Sequence, residues 1–95
     1  MTDSEEWVEG EAVVASALGL HVRPARIVWE RARRFSSDIR IRKGRRDYDV
    51  KSIFDIMALD ASRGTALTVR AKGDDARRAV AVLVALIGTD LDAES

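Results

Sequence analysis

The chain has 95 residues, a length that fits one domain with a single modest hydrophobic core. Its 16 basic and 16 acidic residues cancel, so the overall charge does not indicate a nucleic-acid-binding or membrane-surface protein. With no cysteine and one histidine, the sequence excludes disulfides and thiolate metal sites, and it predicts neither a metal nor a cofactor.

The two ends of the chain are polar and acidic. No apolar run approaches the ~20 residues that span a bilayer, and residues 1–10 are acidic where a secretory signal would be basic and then apolar. We therefore expect a cytoplasmic protein without direct membrane insertion. Residues 1–95 are predicted to form a single domain, of which residues 1–6 and 89–95 are expected to be flexible ends.

Two stretches in the first half of the chain have secondary-structure signals. Residues 7–14 are rich in β-forming side chains and predict a first strand, although which face points to the core stays open. From residue 22 to residue 35, apolar side chains recur at helical spacing and predict an amphipathic helix. The side chains of that stripe are Ala25, Val28, Ala32 and Phe35. Trp29 lies next to the stripe and is expected to be a half-buried core residue.

A hairpin is predicted after this helix. Residues 39–42 alternate apolar and basic, residues 43–46 supply a turn that contains a glycine, and residues 47–50 alternate again as the return strand. Basic side chains cluster at Arg40, Arg42, Lys43, Arg45 and Arg46. Because Asp47 and Asp49 are interleaved with this cluster and aromatic side chains are sparse, we expect a charged sheet edge rather than a nucleic-acid site.

A short helix is predicted at residues 53–59. Ser52, with Asp55 three residues later, has the pattern of a capping box at its start. The helix carries too many apolar side chains for one face, so some of them must be exposed, while Ile56 and Leu59 are expected in the core. Residues 65–71 then alternate as a final strand, and residues 76–87 follow helical spacing up to Gly88.

The element order strand–helix–strand–strand–helix–strand–helix predicts an α+β fold. In such a fold the helices cluster on one face of a predominantly antiparallel sheet, which gives a two-layer, open-faced β-sandwich.

The segment 19–25, GLHVRPA, holds the only histidine and the only proline, at the point where a turn becomes a helix. Pro24 suits the first turn of a helix, which places His21 at or just before the helix N-terminus, where backbone N–H groups favour an anion. Arg23 adds donors that match phosphate oxygens. Imidazole titrates near neutrality, so one ring nitrogen can be an unprotonated nucleophile. His21 is therefore a candidate phosphoryl acceptor, although a lone histidine near a helix start is more often an ordinary polar residue.

The GLHVRPA segment resembles the active-site signature of the HPr family, the histidine-containing phosphocarrier proteins of the bacterial phosphoenolpyruvate-dependent phosphotransferase system. A second segment, residues 51–57 (KSIFDIM), resembles the regulatory-serine segment of that family and lies at a family-like spacing from the first. The similarity runs from about Glu9 to Ile87. The resemblance implies a four-stranded sheet in the order 1-4-2-3, covered on one face by three helices.

The same resemblance implies the function and its residues. It implies that His21 accepts a phosphoryl group at Nδ1 from phosphorylated enzyme I, that Arg23 stabilises the phosphate, and that downstream acceptor domains receive it. Such a protein is a carrier in a relay, used in sugar transport, and not an enzyme. Ser52 would be a regulatory phosphorylation site for a serine kinase and phosphorylase. A partner-binding surface is assigned to Pro24, Arg26, Ile53, Phe54 and Met57.

Two residues depart from the family pattern. Leu18 stands where the family often has a small polar residue that can orient the imidazole, so the orienting partner of His21 is not identified by the sequence. Arg26 stands where a small residue is common, and it either favours an acidic partner or points into solvent.

Two other classes of function compete with the carrier. One is an HPr paralogue that acts mainly as a regulatory protein-binding module, although the presence of His21 argues against a purely non-carrier role. The other is a small ligand-sensing domain, for which no pocket motif is found. In each case we expect a monomer.

Overall fold

The computed structural model describes residues 6–93. Its strands are β1 (Val8–Val13), β2 (Asp38–Lys43), β3 (Arg46–Asp49) and β4 (Ala66–Lys72), and its helices are α1 (Val22–Ala32), α2 (Ile53–Ala58) and α3 (Ala76–Ile87). The strands form one antiparallel sheet in the order β1-β4-β2-β3. The predicted α+β class, the element order and the sheet order are all confirmed.

Alternation along the strands separates a core face from an open face. On the core face, β2 buries Ile39 and Ile41, and β4 buries Leu67, Val69 and Ala71. The helices pack against these apolar side chains.

The open face of the sheet is charged and bonded across its strands. Arg70 Nε lies 2.6 Å from Glu9 Oε2, and its Nη1 lies 3.0 Å from Asp47 Oδ2. Arg42 Nε lies 3.1 Å from the other oxygen of Asp47. From the hairpin's basic cluster, Arg42 is thus ion-paired, and Lys43 Nζ donates to the carbonyl of a buried residue, Leu59, at 2.7 Å. These two side chains of the cluster are therefore engaged in contacts within the fold.

The phase of β1, which the sequence left open, is set by its contact with α3. Val8, Gly10 and Ala12 point toward the helices. A Cβ on Gly10 would lie 2.7 Å from Val80 Cγ1, so only a glycine lets α3 approach the strand this closely.

Helix α1 is shorter than predicted, ending at Ala32, yet Phe35 is buried beyond its end. Lys51 holds this region together, because its Nζ donates to Phe35 O at 2.7 Å and its own carbonyl accepts from Trp29 Nε1 at 3.0 Å. Trp29 is half-buried, as predicted. These bonds fix α1 against the segment from which α2 starts.

Asp75 joins the start of α3 to the turn between α1 and β2. Its carboxylate accepts hydrogen bonds from the backbone N–H groups of Ser36, at 2.8 Å, and Ser37, at 3.0 Å, and from the Ser37 hydroxyl. Burial acts to raise the pKa of this carboxyl, but the hydrogen bonds to its charged form outweigh burial and lower the pKa. The resulting stabilisation is complete above the carboxyl's ordinary pKa and is lost as the pH falls through the lowered value.

Leu91 and Asp92 contact the rest of the domain, which corrects the expectation of a flexible end for these two members of residues 89–95. A 3-10 turn, Leu91–Ala93, follows α3. Leu91 is buried, and its N–H donates to the hydroxyl of Ser16, also buried, at 3.0 Å. A single apolar residue in an acidic tail gives no periodic signal, so the sequence did not predict this anchor. Residues 1–5, 94 and 95 of the predicted flexible ends lie outside the described residues.

Candidate functional site

The loop between β1 and α1 delivers His21. Gly19 has a φ of +79°, and a Cβ at this position would collide with the carbonyl oxygen of Ala61. That same oxygen accepts the N–H of Leu20, a buried residue, at 2.8 Å, while the N–H of Gly19 donates to Ser16 O at 2.9 Å. The chain is thus fixed on both sides of a conformation that only glycine adopts readily.

His21 is the N-cap residue of α1, which confirms its predicted place at the helix start. Its backbone is extended, with φ −82° and ψ −168°, and its carbonyl accepts the N–H of Ala25 at 2.9 Å. The side chain makes no capping hydrogen bond and is 36% exposed. Arg23 lies on the first turn of the helix and is exposed. The imidazole is therefore available at a helix end where backbone N–H groups favour an anion.

Asp92 bonds the imidazole from the opposite end of the chain. Its Oδ1 lies 2.9 Å from Nε2 of His21, across 71 residues of sequence. A carboxylate oxygen accepts hydrogen bonds, so a neutral imidazole in this contact donates from Nε2 and has its lone pair on Nδ1. Within residues 6–93, Nδ1 has no hydrogen-bond partner. The second carboxylate oxygen, Oδ2, is buried and also has no partner among those residues.

Exposed apolar side chains surround His21. Leu18, Val22 and Met57 line a cavity of about 270 Å³ together with His21. Phe54 lies one turn before Met57 on α2, on the same helix face, and is 81% exposed. A cluster of this kind is typical of a protein-binding surface. We refer to Leu18, Val22, Phe54 and Met57 as the docking surface.

The predicted partner-binding residues differ in their exposure to solvent. Phe54 and Met57 are exposed, whereas Ile53 is half-buried against the core. Pro24 is buried, which corrects its assignment to the partner surface, because its ring lies inside the fold at the first turn of α1. Arg26 is exposed, and its Nε lies 3.1 Å from a carboxylate oxygen of Glu30 one turn along α1.

Two members of the docking surface were not predicted, namely Leu18 and Val22. Leu18 was noted only for its departure from the family pattern, and it is 78% exposed. Val22 is 62% exposed and lies outside the stripe of α1. Neither residue belongs to a periodic pattern, so only their position beside His21 reveals them. The predicted burial of Ile56, in α2, and of Leu59, directly after it, is confirmed.

Ser52 is the N-cap of α2, as predicted. Its hydroxyl accepts the N–H of Asp55 at 3.3 Å. The reciprocal half of a capping box is absent here, since the Asp55 carboxylate accepts from the N–H of Asp49 at 3.0 Å and the N–H of Ser52 donates to Asp49 O at 3.1 Å. The cap side chain is half-exposed, at the end of α2 that precedes Phe54.

No group of three or more metal-ligating side chains occurs in residues 6–93. Within the same residues, no helix is both long and apolar enough to cross a bilayer.

Comparisons with known proteins agree on one family. The family model described as "PTS HPr component phosphorylation site" matches residues 8–89. The chain is 41% identical over 76 residues to the phosphocarrier protein HPr of Haemophilus influenzae, which covers 80% of this chain and 89% of that protein.

Solved structures give the same result. The crystal structure of HPr from Bacillus anthracis is similar with a TM-score of 0.82 and 34% identity, covering 85% of this chain and 96% of that one. The crystal structure of the catabolite repression protein Crh of Bacillus subtilis is similar with a TM-score of 0.72 and 34% identity, covering 87% and 95% of the two chains. That protein is described as an intertwined dimer with a swapped domain, so our expectation of a monomer stays a prediction.

Proposed function

Because the chain belongs to the HPr family, a family of phosphocarriers rather than enzymes, we propose that His21 accepts a phosphoryl group from phosphorylated enzyme I and passes it to a downstream acceptor domain. The observation that carries this proposal is the contact between the imidazole and Asp92. Its Nε2 is bonded to Asp92, which leaves the Nδ1 lone pair for attack, at the N-terminus of α1.

The chemistry needs few groups. The lone pair of Nδ1 attacks phosphorus, and a P–N bond forms as the bond from phosphorus to the donor breaks. The new phosphoryl oxygens carry negative charge, which the amino-terminal end of α1 and the guanidinium of Arg23 stabilise. Transfer to the acceptor reverses these events.

Stabilisation of the phosphorylated form has to be moderate in a carrier. Each ~1.4 kcal/mol of extra affinity for that form changes the transfer equilibrium tenfold. His21 and Arg23 lie at the surface, where water and salt screen their charges. A shallow, solvated site therefore suits delivery better than a deep one would.

We also propose that phosphorylation of Ser52 regulates docking, as the family resemblance implies. A second function, contact with a regulatory protein without sugar uptake, is supported by similarity to the HPr-like protein Crh of Bacillus subtilis, at 35% identity. The two functions share the docking surface and differ in whether His21 is used.

The direct test uses the purified chain, phosphoenolpyruvate and enzyme I, followed by mass spectrometry under conditions that preserve phosphohistidine. We expect one acid-labile phosphate, located on His21. Failure of the wild-type chain to take up phosphate from an enzyme I that phosphorylates a known HPr would contradict the carrier function.

Arg23→Ala is expected to slow transfer and leave the fold intact. A charge-assisted hydrogen bond to the phosphate contributes about 1.5 to 3 kcal/mol at most, so the rate should fall by roughly tenfold to 150-fold. Arg34→Ala is the control, because Arg34 is also exposed but lies beyond the far end of α1. Equal rates for Arg23→Ala and Arg34→Ala in single-turnover assays would remove Arg23 from the site.

Phe54→Ala is expected to weaken binding of enzyme I more than it weakens the fold. Burial of such a ring in a complex contributes roughly 1.5 to 3 kcal/mol before ordering costs. Ile56→Ala, on the buried face of the same helix, should instead lower the free energy of unfolding by about 2 to 5 kcal/mol. Calorimetric titration and thermal melting distinguish the two; a Phe54→Ala variant that melts early but binds normally would place Phe54 in the core.

A further inference from the structure

We infer that Asp92 is a positioning residue for His21, which holds the proton on Nε2 and thereby keeps Nδ1 as the nucleophile throughout the transfer cycle. This inference rests on the proposed function and adds the group that sets the state of the ring. It is carried by the 2.9 Å contact and by the way in which the contact is anchored.

Ser16 anchors both halves of the contact. Its carbonyl accepts the N–H of Gly19 at 2.9 Å, in the loop that ends at His21. Its hydroxyl accepts the N–H of Leu91 at 3.0 Å, in the turn that carries Asp92. Ser16 and Leu91 are both buried, at 0% and 2% exposure. One buried residue therefore anchors both segments. The imidazole and the carboxylate are held in place more rigidly than two exposed side chains in a surface ion pair would be.

The carboxylate decides which ring nitrogen reacts. A neutral imidazole has one N–H and one lone pair, and a carboxylate can bond only to the N–H. Asp92 thus selects the tautomer with the proton on Nε2. An uncharged partner that both donates and accepts, such as an amide, would allow the opposite tautomer, in which Nδ1 carries a proton and cannot attack phosphorus.

The same proton stays in place after transfer. When Nδ1 forms the P–N bond, it gives its lone pair to phosphorus, and the ring becomes cationic with its proton still on Nε2. This cation is a better partner for the Asp92 carboxylate than a neutral ring, because the hydrogen bond from Nε2 to Oδ1 then joins opposite charges. In the reverse step the electron pair of the P–N bond returns to Nδ1. No proton has to enter or leave the ring in either direction.

The test compares the wild-type chain with Asp92→Asn, an isosteric change that leaves an amide at the contact. Asp74→Asn is the control, because it changes the net charge equally. Asp74 is exposed and lies just before the N-terminus of α3, whereas Asp92 follows the C-terminus of that helix. Since His21 is the only histidine, the imidazole nitrogens of a ¹⁵N-labelled chain give unambiguous NMR signals. The second measurement is the single-turnover rate of phosphate uptake at saturating phosphorylated enzyme I.

We expect the Nε2-protonated tautomer alone in the wild type and in Asp74→Asn, and a mixture in Asp92→Asn. Uptake by Asp92→Asn should be at least tenfold slower at saturation, with unchanged affinity for enzyme I. An unchanged rate, or a slower rate with an unchanged tautomer, would overturn the inference while the proposed function stands. If the wild type takes up no phosphate, the proposed function fails; a wild-type mixture of tautomers by NMR overturns the role of Asp92 independently of any enzyme I.

Discussion

His21→Ala is expected to take up no phosphate from phosphorylated enzyme I. His21 is the only imidazole in the chain, and the described residues around it include no second nucleophile of comparable reactivity at neutral pH. Ser62 also lines the cavity next to His21, but its hydroxyl lies 3.3 Å from the Thr65 hydroxyl, and a serine hydroxyl that no base activates is a weak nucleophile. The loss should therefore be complete, in contrast to the graded losses expected from Arg23→Ala and Asp92→Asn.

The fold of His21→Ala should survive, which makes the result interpretable. The imidazole is partly exposed and makes no capping hydrogen bond, so its removal costs α1 no cap. Asp92 loses its hydrogen-bond partner, and the free energy of unfolding should fall by about 1 to 3 kcal/mol, which leaves the chain folded. Circular dichroism and thermal melting check this. Acid-labile phosphate gained by His21→Ala at the wild-type rate would show that another residue is the acceptor.

The elements that could be predicted from the sequence are those whose signal is local. Strict alternation at residues 39–42 predicted the buried Ile39 and Ile41, and helical spacing predicted the buried stripe of α1. The role of Ser52 as a helix cap could be predicted because its hydrogen bond joins residues only three positions apart in the sequence. The end of α1 was placed too late, since Phe35 is buried by packing beyond the helix and its burial mimics a further helical turn.

The site could be predicted only in part, because its geometry depends on contacts between distant residues. His21 was found through its neighbours in sequence, Gly19 and Pro24, whose backbone properties shape the loop. The contact with Asp92 joins positions 71 residues apart, and nothing next to Asp92 distinguishes it from other acidic residues of the tail. Pro24 was misplaced because a helix-starting proline has the same sequence signal whether its ring faces the core or the solvent.

Ser52 lies where a new negative charge would disturb docking but not folding. Aspartate is as good an N-cap as serine, so α2 should keep its start. The charge would nevertheless lie next to Ile53 and Phe54, and burial of these residues against a partner would require its desolvation. It would also repel the phosphate on an incoming enzyme I. At a separation of about 10 Å and an effective dielectric constant of about 20, two unit charges repel by roughly 1.7 kcal/mol.

Ser52→Asp is therefore expected to lower the affinity for phosphorylated enzyme I about tenfold at low salt, and less at high salt as the charge is screened. Phosphate transfer to His21 should fall in proportion at subsaturating enzyme I and recover at saturation, because docking and not chemistry is impaired. Ser52→Asn is the matched control, since it keeps a good N-cap of the same shape without the charge. Far-ultraviolet circular dichroism should be native for both variants. If a folded Ser52→Asp accepts phosphate as fast as Ser52→Asn at every ionic strength, Ser52 is a helix cap and has no electrostatic control over docking.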